Sequence, residues 1–150
     1  MLSKRAKYGL KALLALARHR GSSPTRISDL ARDEHIPKKF LELILLELKK
    51  HGLVDSRKGV GGGYILGKPA DLITMGEVVR ILDGPLAPIA CVSQTAYERC
   101  ADCPDEQACG VRFVMKQVRD GIADILDNTA ITDVIAAGAA KKRRDARRKE

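Results

Sequence analysis

The chain has 150 residues, 45% of them hydrophobic, which is enough for one core with appendages but not for two large independent domains. Its 27 Lys and Arg residues outnumber 19 Asp and Glu residues, and the formal net charge of +8 favours a polyanionic partner, nucleic acid before a membrane surface. No apolar stretch reaches the roughly 18 residues of a membrane-spanning helix, and no secretion signal is recognisable, so we expect a cytoplasmic protein without a membrane partner.

Three helices are predicted in the first third of the chain. The first is amphipathic, runs from Lys4 to Arg20 and ends at Gly21. Two shorter helices follow in residues 25–54, and Pro37 starts the second of them, since proline is tolerated in a first helical turn. Their apolar faces comprise Ile27, Leu30, Ala31, Phe40, Leu41, Ile44, Leu45 and Leu48. Two short helices joined in this way predict a helix-turn-helix, whose second helix enters the major groove of DNA.

The next segment predicts a β-hairpin wing. Strand-like runs from Leu53 to Arg57 and from Tyr64 to Leu66 enclose a turn rich in glycine. A nucleotide-binding loop is disfavoured, because a strand rather than a helix follows the glycines. Arg57 and Lys58 at the hairpin tip either contact phosphates or a minor groove, or are solvated charges of the turn.

The second half of the chain is predicted to be helical around a loop. Thr74 and Glu77 have the spacing of a capping box for a short helix. An apolar stripe from Val111 to Asp127 predicts a long helix that forms a dimer seam, with packing on its own domain as the alternative. Residues 131–137 predict one more short helix. The last ten residues carry seven basic and two acidic side chains, which indicates a solvated tail, or one that adds phosphate contacts.

In this order, the segments resemble the IscR/NsrR-type (Rrf) family of bacterial winged-helix iron–sulfur transcriptional regulators. The resemblance covers residues 2–137, and its most specific parts are the triple-glycine wing followed by Tyr64 and the "GLV" that ends the recognition helix. It implies a mainly α fold with a small β-hairpin, in which a winged helix-turn-helix domain is joined to a long dimerisation helix. It also implies a homodimer that represses transcription from palindromic sites in double-stranded DNA.

The resemblance divides the chain into four parts. We expect a DNA-binding domain at 1–84, a cluster-binding loop at 85–110, a dimerisation helix with a short C-terminal helix at 111–138, and a basic, disordered tail at 139–150. The residues expected at the DNA are Ser28, Lys38, Lys39, Phe40, Glu42, Arg57, Lys58, Gly59, Gly61, Gly62 and Tyr64. No catalytic constellation is recognisable, so we do not expect an enzyme.

All the cysteines fall within nineteen residues, at Cys91, Cys100, Cys103 and Cys109. In a reducing cytoplasm, such clusters hold metal or carry out redox chemistry more often than they form structural disulfides. The resemblance implies an iron–sulfur cluster whose state controls DNA affinity, and four thiolates suffice for a [2Fe-2S] or a [4Fe-4S] cluster. We expect all four cysteines to be ligands, with Glu34 or His35 of the partner subunit in reserve.

Three other uses of the cysteines stay open. Zinc also takes four thiolates, and the spacing of Cys100 and Cys103 is a common zinc half-site. Metal-free thiols can act as a redox switch. An iron–sulfur electron carrier would need no DNA binding, but it would leave the glycine-rich wing and its basic tip without a role.

Overall fold

The computed structural model describes residues 2–19 and 23–148. Within these ranges it contains one two-stranded antiparallel sheet and six α-helices: α1 (Lys4–Arg18), α2 (Ile27–Asp33), α3 (Lys38–Lys50), β1 (Val54–Arg57), β2 (Gly63–Leu66), α4 (Met75–Asp83), α5 (Gly110–Asp127) and α6 (Ile131–Arg147). The predicted mainly α fold with one hairpin is therefore confirmed. The first helix ends at Arg18, and the stop expected at Gly21 lies outside the described residues.

The core forms around α3, whose apolar stripe is packed between α1 and α4. Its fully buried side chains are Leu41, Ile44, Leu45 and Leu48. Helix α1 comes close to α4 at Gly9, where a Cβ would overlap the side chain of Leu82. The small residue therefore permits the close approach of these two helices.

The turn between α2 and α3 is closed by its own backbone. Ile36 N–H donates to the Ala31 carbonyl at 2.9 Å, and His35 N–H donates to the Arg32 carbonyl at 3.3 Å. This is the Schellman arrangement that ends many helices. It requires a left-handed residue, which His35 supplies with a φ of 54°, while Ile36 is buried and anchors the turn to the core.

Helix α4 is linked to the chain segment that precedes it. Thr74 accepts a hydrogen bond from Glu77 N–H at 3.2 Å, as the capping pattern predicts. The Glu77 carboxylate, however, accepts from Lys68 at 2.7 and 2.9 Å. Half of the expected capping box is thus replaced by an ion pair to the segment after the wing.

The start of α6 is inserted into the core. Ile131 is fully buried, and its N–H donates to the Ile73 carbonyl at 2.9 Å, while Met75 N–H donates to the Thr129 carbonyl at 2.9 Å. The remainder of α6 leaves the core and becomes exposed from residue 136 onward. Helix α6 continues to Arg147, beyond the short helix expected at residues 131–137, because Ala, Lys and Arg are strong helix formers and the cations near its end favour a helix C-terminus.

Helix α5 lies largely outside the core and has no buried residue. At its C-terminal end, Arg80 of α4 donates two hydrogen bonds to Asp127, at 2.5 and 2.8 Å. Gly76 leaves room for this carboxylate, since a Cβ there would overlap it. One bidentate ion pair thus fastens α5 to the body of the molecule.

We predict that Asp127→Asn loosens this attachment. The Arg80 guanidinium lowers the pKa of the Asp127 carboxyl below its usual range. The ion pair therefore stabilises the fold above the unfolded-state pKa of about 4, and this contribution is lost as the pH falls through the lower folded-state value. At pH 7 the variant should lose about 0.5–1 kcal/mol of unfolding free energy in urea titrations.

The same titrations below pH 4 provide the second readout. The difference between Asp127→Asn and wild type should shrink as the carboxyl is protonated. Asp71→Asn, which changes an exposed carboxylate in the Ala70–Leu72 turn, is the matched control and should show no such convergence. A difference that stays constant with pH would contradict the role of the ion pair.

Candidate DNA-binding surface and cysteine pocket

The exposed side of α3 carries the polar residues predicted to meet DNA. Lys38, Lys39 and Glu42 are all exposed, because the buried leucine stripe turns the opposite face of the helix outward. Phe40 lies at the edge of the core and packs edge-on against Tyr8 of α1, with ring centroids 5.7 Å apart at 81°. Phe40 therefore helps to hold α3 against α1.

The candidate residues on α2 and its turn differ in their surroundings. Ser28 is exposed on α2. The Glu34 carboxylate is four-fifths buried and lies 3.9 Å from both Lys11 and Arg18, and its carbonyl accepts from Lys11. His35 is exposed and has the backbone role already described. Glu34 is thus occupied by cations of its own chain.

The wing is a regular hairpin with a glycine turn. Ser56 pairs with Tyr64 and Arg57 pairs with Gly63 across the strands. The turn is closed by Gly62 N–H, which donates to the Gly59 carbonyl at 3.0 Å. Gly59 and Gly61 have φ values of 92° and 76°, a region that glycine enters without steric cost. The exposed side chains at this end of the hairpin include Arg57, Lys58 and Val60.

The wing is tied to the segment that precedes α2, a contact not foreseen from the sequence. Thr25 and Tyr64 exchange two backbone hydrogen bonds, at 2.9 and 2.8 Å. Gly63 makes this possible, because a Cβ on it would overlap the backbone of Thr25 and Arg26. The glycine run was visible in the sequence, but nothing in it indicated which glycine faces another segment.

The four cysteines line one open pocket of about 400 Å³, beside the start of α5. Cys91 is buried in a 3-10 turn, Ala90–Val92, whereas Cys100 is exposed and Cys103 and Cys109 are half-buried. Cys109 caps α5, and its sulfur accepts from Arg112 N–H at 3.4 Å. A helix N-terminus favours negative charge, so this position suits a thiolate ligand.

The thiols of the pocket influence one another. A hydrogen bond with the Cys91 side chain raises the pKa of Cys100, and the nearby charges of Asp102 and Cys109 add to this. Partial burial and the neighbouring Cys109 raise the pKa of Cys103. The thiols of Cys100 and Cys103 therefore both resist ionisation, unless a bound cation stabilises their thiolates.

Two arginines connect the pocket to α5. Arg112 donates to the Cys91 carbonyl at 3.3 Å, and Arg119 donates to the Val92 carbonyl at 2.6 Å. They are two helical turns apart and so lie on the same side of α5. The buried end of the cysteine loop is thereby held to the helix by side chains that no sequence motif singled out.

The pocket fits an iron–sulfur cluster by the type and number of its donors, since thiolates hold such clusters. A bound cation would also overcome the raised pKa values, because coordinating thiols are deprotonated outright. Among residues 2–19 and 23–148, however, no three Cys, His, Asp or Glu side chains converge closely enough to hold a metal ion. The exposed, irregular loop of residues 94–108 would have to close around a ligand.

Comparison with known proteins decides the class of the molecule. Residues 2–137 match the Rrf2 family, described as iron-dependent transcriptional regulators. The chain belongs to the Rrf2 family. The resemblance expected from the sequence is thereby confirmed, and the protein is a helix-turn-helix transcriptional regulator of this family.

Individual Rrf2 relatives agree with this assignment. The chain is 43% identical to an rrf2-like HTH-type transcriptional regulator of Rhodobacter capsulatus, over 92% of this chain and 94% of that protein. The structure of CymR, the global cysteine regulator of B. subtilis, superposes on this one with a TM-score of 0.75. The two sequences are 30% identical, and the match covers 91% of this chain and 97% of CymR. The structure of T. potens IscR superposes with a TM-score of 0.73. Its sequence is 25% identical, and the match covers 92% of this chain and 88% of IscR.

No helix within the described ranges has the length and apolar character needed to cross a membrane.

We predict that Gly63→Ala separates the wing from the segment before α2. The added methyl group overlaps backbone atoms that cannot move independently, so the variant should lose roughly 1–3 kcal/mol of unfolding free energy. Gly61→Ala is the matched control, because its site is open and only the left-handed conformation costs, about 1 kcal/mol. Amide hydrogen exchange at Thr25 should accelerate selectively in Gly63→Ala; unchanged protection there would contradict the proposed clash.

Proposed function

We propose that this Rrf2-family protein is a homodimeric repressor that binds a palindromic DNA site, and that an iron–sulfur cluster held by Cys91, Cys100, Cys103 and Cys109 controls its affinity. The observation that carries the proposal is the connection between the cysteine pocket and the winged-helix domain. The cysteine pocket abuts α5, and α5 in turn is fastened to α4 of the winged-helix domain. A change in the pocket can therefore reach the DNA-binding domain through packed elements.

The DNA-binding part of the proposal rests on the charge and shape of α3 and the wing. Lysines and Glu42 stand on the outward face of α3, and the wing presents a basic tip beside it. Lysines neutralise phosphates and position the protein, while a carboxylate can accept a hydrogen bond from the N4 amine of cytosine. This division of labour assigns affinity to Lys38 and Lys39 and part of the specificity to Glu42. DNA as the target agrees with a cytoplasmic location.

The proposal of a homodimer rests on the exposed apolar side chains of α5. This helix has no fully buried residue, and six large apolar side chains on it are exposed: Val111, Phe113, Val114, Val118, Ile122 and Ile125. Contiguous exposed apolar surface indicates a protein interface. A second copy of α5 would cover it and hold two recognition helices at the spacing of one DNA turn, about 34 Å.

The regulatory part of the proposal rests on the cysteine pocket. The cluster would supply one-electron redox chemistry and sensitivity to iron supply or to nitrosative and oxidative damage. The chain's own part is the loop, which would close to bring its thiols together, and the arginines, which would carry that movement to α5. Coupling between two sites of one protein is commonly worth about 1–3 kcal/mol, or roughly 5- to 150-fold in affinity.

A metal-free thiol switch is the second candidate. The placement of Cys91 and Cys100 in one pocket favours it, since neighbouring thiols can be oxidised reversibly. It keeps the DNA-binding role and removes the cofactor. Zinc bound by the same four thiols would likewise keep the fold and remove the redox role.

The decisive experiment is anaerobic purification, followed by an absorption spectrum and by iron, sulfide and zinc analysis of the same sample. We expect a brown protein with equal amounts of iron and sulfide. Cys103→Ser should lose most of the iron and keep the circular-dichroism spectrum of the wild type, while Ser93→Ala, which lies in the same loop without a thiol, should keep the iron. A colourless protein, even after anaerobic reconstitution, would assign the pocket to zinc if zinc is present and to the thiol switch if it is not.

We predict different effects of two substitutions on the outward face of α3. Lys39→Ala should weaken binding to all duplexes and reduce the salt dependence of affinity by about one unit for each phosphate that the protein no longer neutralises. Glu42→Ala should instead change which duplexes are preferred, with a decrease of about 1–3 kcal/mol in discrimination at one base pair. Fluorescence anisotropy over a series of duplexes and salt concentrations measures both.

The control for these variants is Lys4→Ala, which removes an exposed lysine at the start of α1. It should change neither the salt dependence nor the sequence preference. An unaltered preference in Glu42→Ala would remove Glu42 from the base-reading residues. Equal behaviour of Lys39→Ala and Lys4→Ala would remove Lys39 from the phosphate contacts.

A further inference from the structure

The outward face of α3 is not uniformly polar. Leu43 and Leu46 are 62% and 52% exposed. A single exposed leucine needs no explanation, but these two stand on successive turns of the recognition helix. With 100° between neighbouring residues, both lie within about 30° of the direction opposite the buried stripe. They therefore occupy the centre of the surface that α3 presents outward.

Lysines stand at both ends of this pair. Lys39 and Lys50 share the same direction on the helix and are about 16 Å apart along its axis. Lys50 pairs with Glu47 at 3.5 Å on the exposed surface, a contact weak enough to be exchanged for a phosphate. An apolar centre between two cations complements a major groove, which is about 12 Å wide and is bordered by phosphates.

We propose that Leu43 and Leu46 read the 5-methyl groups of thymines in the DNA site. The methyl group is the apolar feature that the major groove offers, and it marks thymine alone among the four bases. The leucines cannot accept or donate hydrogen bonds, so they favour thymine by burying its methyl group and disfavour bases that expose polar edges there. This inference rests on the proposed DNA-binding function and adds the base to which α3 responds.

Replacing thymine by uracil tests the proposal, because it removes the methyl group and leaves every hydrogen-bonding group in place. The probe is the duplex that the wild-type protein selects from a random-sequence library. At one symmetry-related pair of thymines or more, uracil should lower the affinity about fourfold for each methyl group, and so about 15-fold for the pair. In the double variant with Leu43→Ala and Leu46→Ala, the thymine and uracil duplexes should bind equally.

Leu72→Ala is the matched control. Leu72 is 61% exposed and belongs to the Ala70–Leu72 turn, away from α3, so this variant should discriminate between thymine and uracil as the wild type does. Leu43 and Leu46 are both more than half exposed, so the thermal unfolding temperatures of the α3 variants should lie close to that of the wild type. This measurement separates impaired base recognition from impaired folding.

The outcomes distinguish this inference from the function on which it rests. If the wild type selects no preferred duplex, the proposed function fails, and the thymine contact with it. If a duplex is selected but uracil has no effect at any position, or has the same effect in the leucine double variant, only the thymine contact is wrong. If uracil has no effect and the double variant changes the sedimenting mass, the two leucines form a protein interface instead.

Discussion

The burial of one face of α3 is the constraint on which the other features depend. Leu41, Ile44, Leu45 and Leu48 are fully removed from water between α1 and α4, and each such side chain contributes roughly 1.5–3 kcal/mol. The helix cannot rotate about its axis without exposing some of them. Its outward face is therefore defined by the core, and the lysines, Glu42 and the two exposed leucines are presented together as a consequence.

Backbone geometry then positions the neighbours of α3. The left-handed His35 closes the turn before it, and the buried Leu53 follows it and leads into β1. The wing is held a second time by the pair of hydrogen bonds between Thr25 and Tyr64. Backbone contacts thus help to fix the two parts of the proposed DNA-binding surface, α3 and the wing, within the domain.

The cysteine pocket is held much less firmly than the winged helix. Its buried end is tied to α5 by Arg112 and Arg119, whereas residues 94–108 are mostly exposed and have no regular structure. Regions with few buried contacts open at low free-energy cost. The proposed function needs a loop that can move and a winged helix that stays rigid. In this protein separate segments of the chain supply the two.

Local sequence patterns predict much of this protein. The period of 3.6 in α1, α3 and α5, the proline that starts α3 and the glycines of the wing each act over a few residues, so the sequence displays them directly. The resemblance to one regulator family follows from their order, and four clustered cysteines indicate a common site. The continuation of α6 to Arg147 was not foreseen from the sequence, because charge density suggested disorder where helix propensity favours a helix.

Only the tertiary structure shows which residues far apart in the sequence are in contact. The pairing of Arg80 with Asp127 joins positions 47 residues apart, and the contacts of Arg112 and Arg119 with the cysteine loop span 21 and 27 residues. The close approach of Gly63 to Thr25 likewise depends on how two segments pack. No spacing rule encodes such contacts, because they arise from the relative placement of elements that the core brings together. The sequence by itself determined which faces are apolar and which residues carry chemistry; packing decided which of them meet.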